Sequence, residues 1–118
     1  MRYDTPLQMF ERWVLEDLEL HGTGIPRGAE LGLLFGSANH DPSVFDRPDE
    51  LDITRADNPH MSFGHGIHFC LGAPLARIEL ATSFGTLLRR LPRMELVEEP
   101  SWKPAYIIRG LRELRVRA

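Results

Sequence analysis

The chain has 118 residues, 42% of them apolar and 26% charged, with a formal net charge of −3. This is the composition of an ordinary small globular domain, so disorder is not indicated. No apolar run approaches the roughly 20 residues that span a bilayer, and the N-terminus lacks a signal peptide's apolar stretch. Since one cysteine cannot form an internal disulfide, we expect a cytoplasmic protein without a membrane partner.

A β-hairpin is predicted in the first third of the chain. Residues 12–21 mix apolar and acidic side chains and are interpreted as a strand, and residues 30–35 return as a second strand after a glycine-rich turn at 22–28. Residues 37–42 are predicted to cap a short helical turn. Residues 42–59 are proline-rich and aperiodic, too long for an ordinary connection, so we expect them to be functional or held by another element.

The strongest periodic pattern predicts one long helix in the second half of the chain. Apolar residues recur at helical spacing in two stripes: Leu80, Phe84, Leu87 and Leu91, and Leu71, Leu75, Ile78 and Leu88. An apolar surface of this width predicts a helix that is buried on more than one side. Pro74 suits the first turn, where its missing N–H costs nothing, and Pro92 ends the helix. The tail, residues 106–116, is interpreted as a strand.

Charge is unevenly distributed along the chain. Residues 1–70 contain 5 arginines and 12 acidic residues, whereas residues 71–118 contain 9 basic and 5 acidic residues. The arginines form no basic run, so no nucleic-acid partner is predicted. A solvated face, or a docking surface for an acidic protein, is the expected role of the basic half.

The segment Phe63–Gly72 contains the only cysteine, and it leads directly into the predicted helix. Cys70 would lie just before the helix N-terminus, where free N–H groups and the helix dipole favour an anion. Gly64 and Gly66 permit a tight turn that could lie flat against a large planar ligand. A thiolate in such a setting is the ligation that pushes electron density into a haem iron and favours O–O cleavage.

The neighbours of the cysteine support the same interpretation. Gly72 has no Cβ, so the backbone could approach the sulfur, and Phe63 and Phe69 could shield it from water. His68 lies two residues before Cys70. On an extended backbone the two side chains would share one side, and His68 could then reach an anionic group at the ligand's edge.

Other chemistries remain open for this segment from the residues alone. His65, His68 and Cys70, with His60, could form a zinc site, although there is no second cysteine. Cys70 could be a nucleophile with a histidine base, although nothing marks an oxyanion hole. A single cysteine can also be a small buried hydrophobe. The glycines do not complete a dinucleotide or phosphate-loop motif, and no covalent haem motif is present.

Taken together, Phe63-x-x-Gly66-x-x-x-Cys70-x-Gly72 resembles the haem-binding signature of the cytochromes P450, and residues 73–77 continue it. Four further segments resemble the soluble bacterial members in the family's order. They are residues 6–12 after helix K, residues 36–45 and 51–55 in the meander, and residues 107–111 in the C-terminal strand. The resemblance implies that residues 1–118 form the C-terminal portion of a mainly-α fold. We therefore expect an α+β fragment with short hairpin strands, an irregular meander, a haem-thiolate loop and one long buried helix.

The resemblance also implies roles for individual residues. Cys70 matches the proximal iron ligand of haem b (iron protoporphyrin IX), within a loop that includes Gly66 and Gly72. Arg12 and His68 match residues that bind the haem propionates, and Phe63 matches the phenylalanine packed on the thiolate loop. Residues that match the substrate pocket are Leu7, Met9, Phe10, Ile107 and Ile108. The alternatives are that Arg12 only pairs with Glu11 or Glu16 and that Met9 and Phe10 only fill a core.

The family reaction inserts one oxygen atom of O2 into a small organic substrate, with electrons from a ferredoxin that would dock on Arg77, Arg89 and Arg90. Three departures limit this expectation. The glutamate of the family's Glu-x-x-Arg would precede Arg2, Glu50 and Leu51 replace the usual meander residues, and the oxygen-activating helix has no match.

We therefore expect a truncated piece that retains no catalytic residue and is inactive by itself. The alternatives are a small haem-binding or electron-transfer protein without oxygenase activity, and a structural remnant that binds no haem.

Overall fold

The computed structural model describes residues 1–118. The chain divides into two compact units, one formed by Met1–Ser62 with Tyr106–Arg109 and the other by Phe63–Ala105 with Gly110–Ala118. No helix in the structure combines the length and the apolar content that crossing a bilayer requires.

Two antiparallel hairpins, one inside the other, form the β structure of the first unit. In the outer hairpin, strand β1 (Met9–Trp13) pairs with strand β4 (Glu30–Leu34), so that Met9 lies opposite Leu34 and Trp13 opposite Glu30. In the inner hairpin, strand β2 (Leu18–Leu20) pairs with strand β3 (Thr23–Ile25).

The prediction of a single strand over residues 12–21 is therefore wrong, and the predicted turn at 22–28 is partly strand β3. The cause is the connection between β2 and β3, where His21 and Gly22 both adopt positive φ, at 50° and 79°. Two such residues close a tight hairpin whose twist matches that of its strands. Residues 18–20 consequently pair with residues 23–25, directly after the turn, and they do not extend the pairing of β1 with β4.

A short helix, α1 (Phe35–Ala38), follows β4 without a loop. Phe35 is buried, and its ring lies 6.4 Å from that of Phe10, centroid to centroid. The second strand therefore ends at Leu34, one residue earlier than predicted. The predicted cap within residues 37–42 lies after α1: no side chain caps α1 itself, but Asp41 Oδ1 accepts the Ser43 N–H at the start of a helical turn in which the Asp41 carbonyl accepts the Phe45 N–H at 2.9 Å.

Residues 39–62 contain no helix or strand, as the composition predicts, and polar side chains order the turns within them. Asp41 Oδ1 accepts hydrogen bonds from the backbone N–H of Ser43 at 2.8 Å and from its hydroxyl at 2.6 Å. Asp52 Oδ1 accepts the same pair of bonds from Thr54, at 2.8 and 2.7 Å. A carboxylate that bonds the backbone two residues on is a common way to stabilise a turn.

These bonds predict an acid-sensitive meander. The side-chain and backbone hydrogen bonds from Ser43 hold the pKa of Asp41 below the ordinary aspartate value of 3.8, and those from Thr54 do the same for the pKa of Asp52. Because both carboxylates are more acidic in the folded chain, their stabilisation is complete above about pH 4 and is lost as pH falls further. We expect the urea midpoint to fall more between pH 5 and pH 2.5 in the wild type than in a Ser43→Ala/Thr54→Val variant. Equal losses would contradict this account.

The second unit contains the predicted long helix, α2 (Ala73–Arg90). Pro74 lies in its first turn and Leu91 follows its last residue, which confirms the predicted limits. The prediction that this helix is buried on more than one side is wrong. Of its residues only Ala73 is buried, and the exposed apolar side chains in or beside it are Leu71, Leu75, Ile78, Leu80, Phe84, Leu87 and Leu88. The other strands of this unit, β5 (Glu95–Leu96) and β6 (Val116–Arg117), are too short to cover a helix about 27 Å long.

The tail is not the continuous strand predicted for residues 106–116. Ile108 forms a single bridge with Leu7, and Leu111 forms another with Trp102. Because the backbone changes its hydrogen-bonding partner after Arg109, no ladder can propagate through this segment. Only Val116–Arg117 belongs to a ladder, in which Val116 lies opposite Leu96.

Candidate functional site

The cysteine-containing loop of the second unit is closed by its own backbone. The Cys70 N–H donates to the Phe63 carbonyl at 2.8 Å, and the Phe69 N–H donates to the Gly66 carbonyl at 3.0 Å. Gly64 and Gly66 adopt φ of 71° and 65°, values at which a Cβ would strain the chain. The glycine requirement inferred from the sequence is therefore confirmed at both positions.

The backbone before the cysteine is not extended, contrary to expectation. Gly66–His68 forms a 3₁₀ turn, and the turn's last N–H bond is the one from Phe69. A 3₁₀ turn advances about 120° per residue, so the period-two argument that put His68 on the side of Cys70 does not apply. His68 is exposed, as are its neighbours from His65 onward.

Cys70 is a free, exposed cysteine, so it is not the small buried hydrophobe that remained open as an alternative. It precedes the first residue of α2 by three positions, and its carbonyl accepts the Ala73 N–H at 3.1 Å. A Cβ at Gly72 would lie 3.9 Å from Cys70 Sγ, which is an ordinary contact. Neither space nor φ therefore requires glycine at position 72, whereas positive φ favours glycine at positions 64 and 66.

The donor set around this loop fits a group that takes one protein ligand. Nowhere in residues 1–118 do three His, Cys, Asp or Glu side chains gather closely enough to hold a metal ion. A protein zinc site needs three or four such ligands, so the alternative built on His65, His68 and Cys70 lacks its ligand set. Haem b would need only one protein ligand for its iron, and the exposed thiol of Cys70 could provide it.

Phe63 anchors the start of the loop. Its side chain is buried, with 8% exposure, and its ring lies 6.1 Å from that of Phe69 at an angle of 59°. The guanidinium carbon of Arg77 lies over the Phe63 ring, 4.8 Å from its centroid. Sequence reasoning placed Arg77 only on a docking surface, because nothing in its spacing from Phe63 signals a contact.

In the first unit, the structure brings together the residues that the resemblance assigned to a substrate pocket. The Gln8 N–H donates to the Ile107 carbonyl at 2.8 Å, and Leu7 forms its bridge with Ile108. A cavity of about 390 Å³ lies beside strand β1 and Ile107. Its lining residues are Met9, Phe10, Glu11, Trp13 and Ile107. The sequence prediction did not include Glu11 and Trp13, although they follow Met9 at every second position of strand β1 and so share its face.

Arg12 lies on the same strand and is half-buried. Its Nη1 donates to the backbone carbonyl of Glu11 at 2.7 Å, and its guanidinium carbon lies 5.4 Å from the centroid of the Phe10 ring. It forms no salt bridge with the carboxylate of Glu11 or Glu16, the surface pairing left open above.

A buried polar network in the first unit was not foreseen. Arg2, with 4% exposure, donates through Nη1 to the Asn39 carbonyl at 2.6 Å and through Nη2 to the Glu50 carbonyl at 3.3 Å. The Asn39 side chain donates to Ser62 Oγ at 3.1 Å and accepts the Met61 N–H at 2.7 Å. This network ties the irregular segment to the first residues of the chain. In the sequence, the only indication of this network was that Arg2 matches the last residue of the family's Glu-x-x-Arg motif.

The chain belongs to the cytochrome P450 family, whose model matches residues 1–104. It is 47% identical over 117 residues to the biotin biosynthesis cytochrome P450 of Bacillus subtilis (strain 168), and 40% identical over 117 residues to the steroid C26-monooxygenase of Rhodococcus jostii (strain RHA1). These matches cover 98% of this chain but 30% and 25% of the two relatives.

Solved structures agree with this assignment. A P450BioI structure in complex with an acyl carrier protein ligated to hexadec-9Z-enoic acid matches with a TM-score of 0.95 at 48% identity. A Bacillus megaterium cytochrome P450 in complex with testosterone matches with a TM-score of 0.95 at 41% identity. Each match covers 98% of this chain and 30% or 33% of the solved chain. The small sheets and the long helix described above are thus part of the cytochrome P450 fold.

Proposed function

We propose that this chain supplies the thiolate side of the haem site of a cytochrome P450 monooxygenase, with Cys70 as the protein ligand of the iron. The observation that carries the proposal is the exposed, free thiol at the end of a glycine-turned loop that leads into α2. Family membership supports haem as the cofactor. When bound, haem b would supply the activation of O2 for insertion of one oxygen atom into an organic substrate.

The remaining residues of the loop would shape this site. Gly64 and Gly66 keep its backbone compact where a side chain would strain it. Phe63 and Phe69, which pack ring to ring, would keep water from the sulfur. His68, which is exposed, would donate a hydrogen bond from a ring N–H to a haem propionate.

Arg12 would bind a haem propionate through its guanidinium. Its present backbone bond occupies only Nη1, and a guanidinium has five N–H donors. Donors therefore remain for a carboxylate, which the planar fork of arginine can bind in a bidentate manner.

The substrate would contact the cavity beside strand β1. Met9, Phe10, Trp13 and Ile107 make its walls mainly apolar, and Glu11 is its one ionisable lining residue. Apolar walls with few polar groups are typical of sites for small organic molecules. We infer an apolar organic substrate, and the bridge between Leu7 and Ile108 would hold the two segments of this wall together.

A ferredoxin-type protein would supply electrons at the basic surface of α2. Arg89 and Arg90 lie in the last turn of this helix and are exposed, as is Arg93 beyond it. Opposite charge on a partner would steer it to such a surface and speed association at low salt.

The ferrous–CO spectrum of the haem-loaded protein tests the iron ligand. A red-shifted Soret band of the thiolate type is expected if Cys70 binds the iron. A histidine-type band would contradict the assignment and point to His65 or His68, and failure to bind haem would leave a structural remnant. We do not expect the 118 residues alone to form product coupled to NAD(P)H, so such turnover would contradict that narrower expectation.

A further inference from the structure

Arg77 has a contact that its assignment to a docking surface does not explain. Its guanidinium carbon lies 4.8 Å from the centroid of the Phe63 ring. Arg77 is exposed whereas Phe63 is buried, so the charge covers the outer face of an otherwise enclosed ring. A guanidinium in this position is attracted to the negative face of the aromatic ring.

Phe63 is also the hydrogen-bond acceptor of the Cys70 backbone N–H. Its carbonyl accepts the Cys70 N–H at 2.8 Å, so its side chain and its backbone face two different partners. The ring is fixed by Arg77 and Phe69, and the carbonyl closes the loop on Cys70. The packing of the ring against Arg77 and Phe69 therefore restrains the residue whose carbonyl accepts the Cys70 N–H.

We propose that Arg77 is a positioning residue of the thiolate loop, acting on Cys70 through the ring and the carbonyl of Phe63. Arg77 lies in the second turn of α2, whereas Phe63 opens the loop that precedes this helix. The contact joins the beginning of the loop to the helix at its end, and so restricts the loop that carries the sulfur. The guanidinium also places a positive charge close to the residue that bonds the Cys70 amide.

The first test measures amide hydrogen exchange at Cys70 without any cofactor. Cation–π contacts at exposed sites correspond to about a two- to five-fold change in an opening equilibrium, so Arg77→Gln should raise the Cys70 exchange rate by about that factor. Arg77→Lys keeps the charge and should restore part of the protection. In a Phe63→Leu background, which has no ring to cover, Arg77→Gln should change the rate no further.

Arg89→Gln provides the matched control. It removes the same charge from the same helix, about 18 Å further along the axis, which is beyond the Debye length of about 8 Å at physiological salt. Cys70 exchange should be unchanged in this variant. An Arg77→Gln rate equal to that of Arg89→Gln overturns the proposal.

The second test uses the haem-loaded protein and rests on the proposed function. Since a nearby cation favours the reduced iron, Arg77→Gln should shift the reduction potential to a more negative value than Arg89→Gln does. Equal potentials in the two variants overturn the proposal. A wild-type spectrum without the thiolate band would instead refute the proposed function, and the exchange measurement would still decide the role of Arg77.

Discussion

Replacing Cys70 with alanine is expected to abolish the red-shifted Soret band of the ferrous–CO form while leaving the fold intact. The thiol is exposed and free, so its removal leaves no cavity. Surface substitutions of this kind change the free energy of unfolding by only about 0.5 kcal/mol or less. The loss of the band would therefore report the loss of an iron ligand. The measurements are the ferrous–CO spectrum and the urea midpoint of the same preparation.

His65→Ala and His68→Ala are the matched controls for this experiment. Both residues lie in the same exposed loop, and neither is the proposed iron ligand. The thiolate band should persist in both variants, with weaker haem binding in His68→Ala if this residue holds a propionate. Survival of the band in Cys70→Ala would show that another group binds the iron.

Arg2→Ala is expected to cause the largest loss of stability among the substitutions considered. Arg2 Nη1 donates to the Asn39 carbonyl at 2.6 Å, and Asn39 has 0% exposure. The substitution would therefore leave a buried carbonyl without this donor. It would also remove the guanidinium that lies 4.9 Å from the centroid of the Phe45 ring. Leaving a buried acceptor without its charged donor costs about 1–3 kcal/mol, and a urea titration at pH 7 measures this cost. That is a large share of the 5–15 kcal/mol typical of a folded protein.

Arg47→Ala separates this effect from a general loss of positive charge. Arg47 pairs with Asp46 at 3.2 Å and with Glu50 at 2.7 Å. It is largely exposed, however, and surface pairs contribute only about 0–1 kcal/mol. Arg2→Lys should recover only part of the loss, because an ammonium cannot reproduce the fork that reaches two carbonyls. A loss for Arg2→Ala no greater than that for Arg47→Ala would contradict the structural role of the network.

Short-range features of this protein were readable from the sequence. The limits of α2 follow from Pro74 and Pro92, since proline is tolerated only in the first turn of a helix. The turns at Gly64 and Gly66 follow from the conformational freedom of glycine. The spacing from Phe63 to Gly72 identified the family by resemblance, before any contact was known.

Strand pairing was predicted less well, because it depends on a turn of two residues. His21 adopts a positive φ, a conformation that only a few per cent of non-glycine residues have. The hydrophobic pattern of residues 12–21 is compatible with one strand or two, and the turn between β2 and β3 decides in favour of two. The periodicity of α2 likewise revealed an apolar surface but could not show whether another element covers it.

By itself, then, the sequence determined the helix limits, the glycine turns and the cysteine loop, because each depends on residues close together in the chain. The tertiary structure alone decided which distant residues meet. Arg2 bonds Asn39 across 37 positions, Leu7 meets Ile108 across the whole hairpin region, and Arg77 covers Phe63. Local sequence patterns do not predict such long-range contacts, because burial and hydrogen-bond geometry determine them only when the chain has folded.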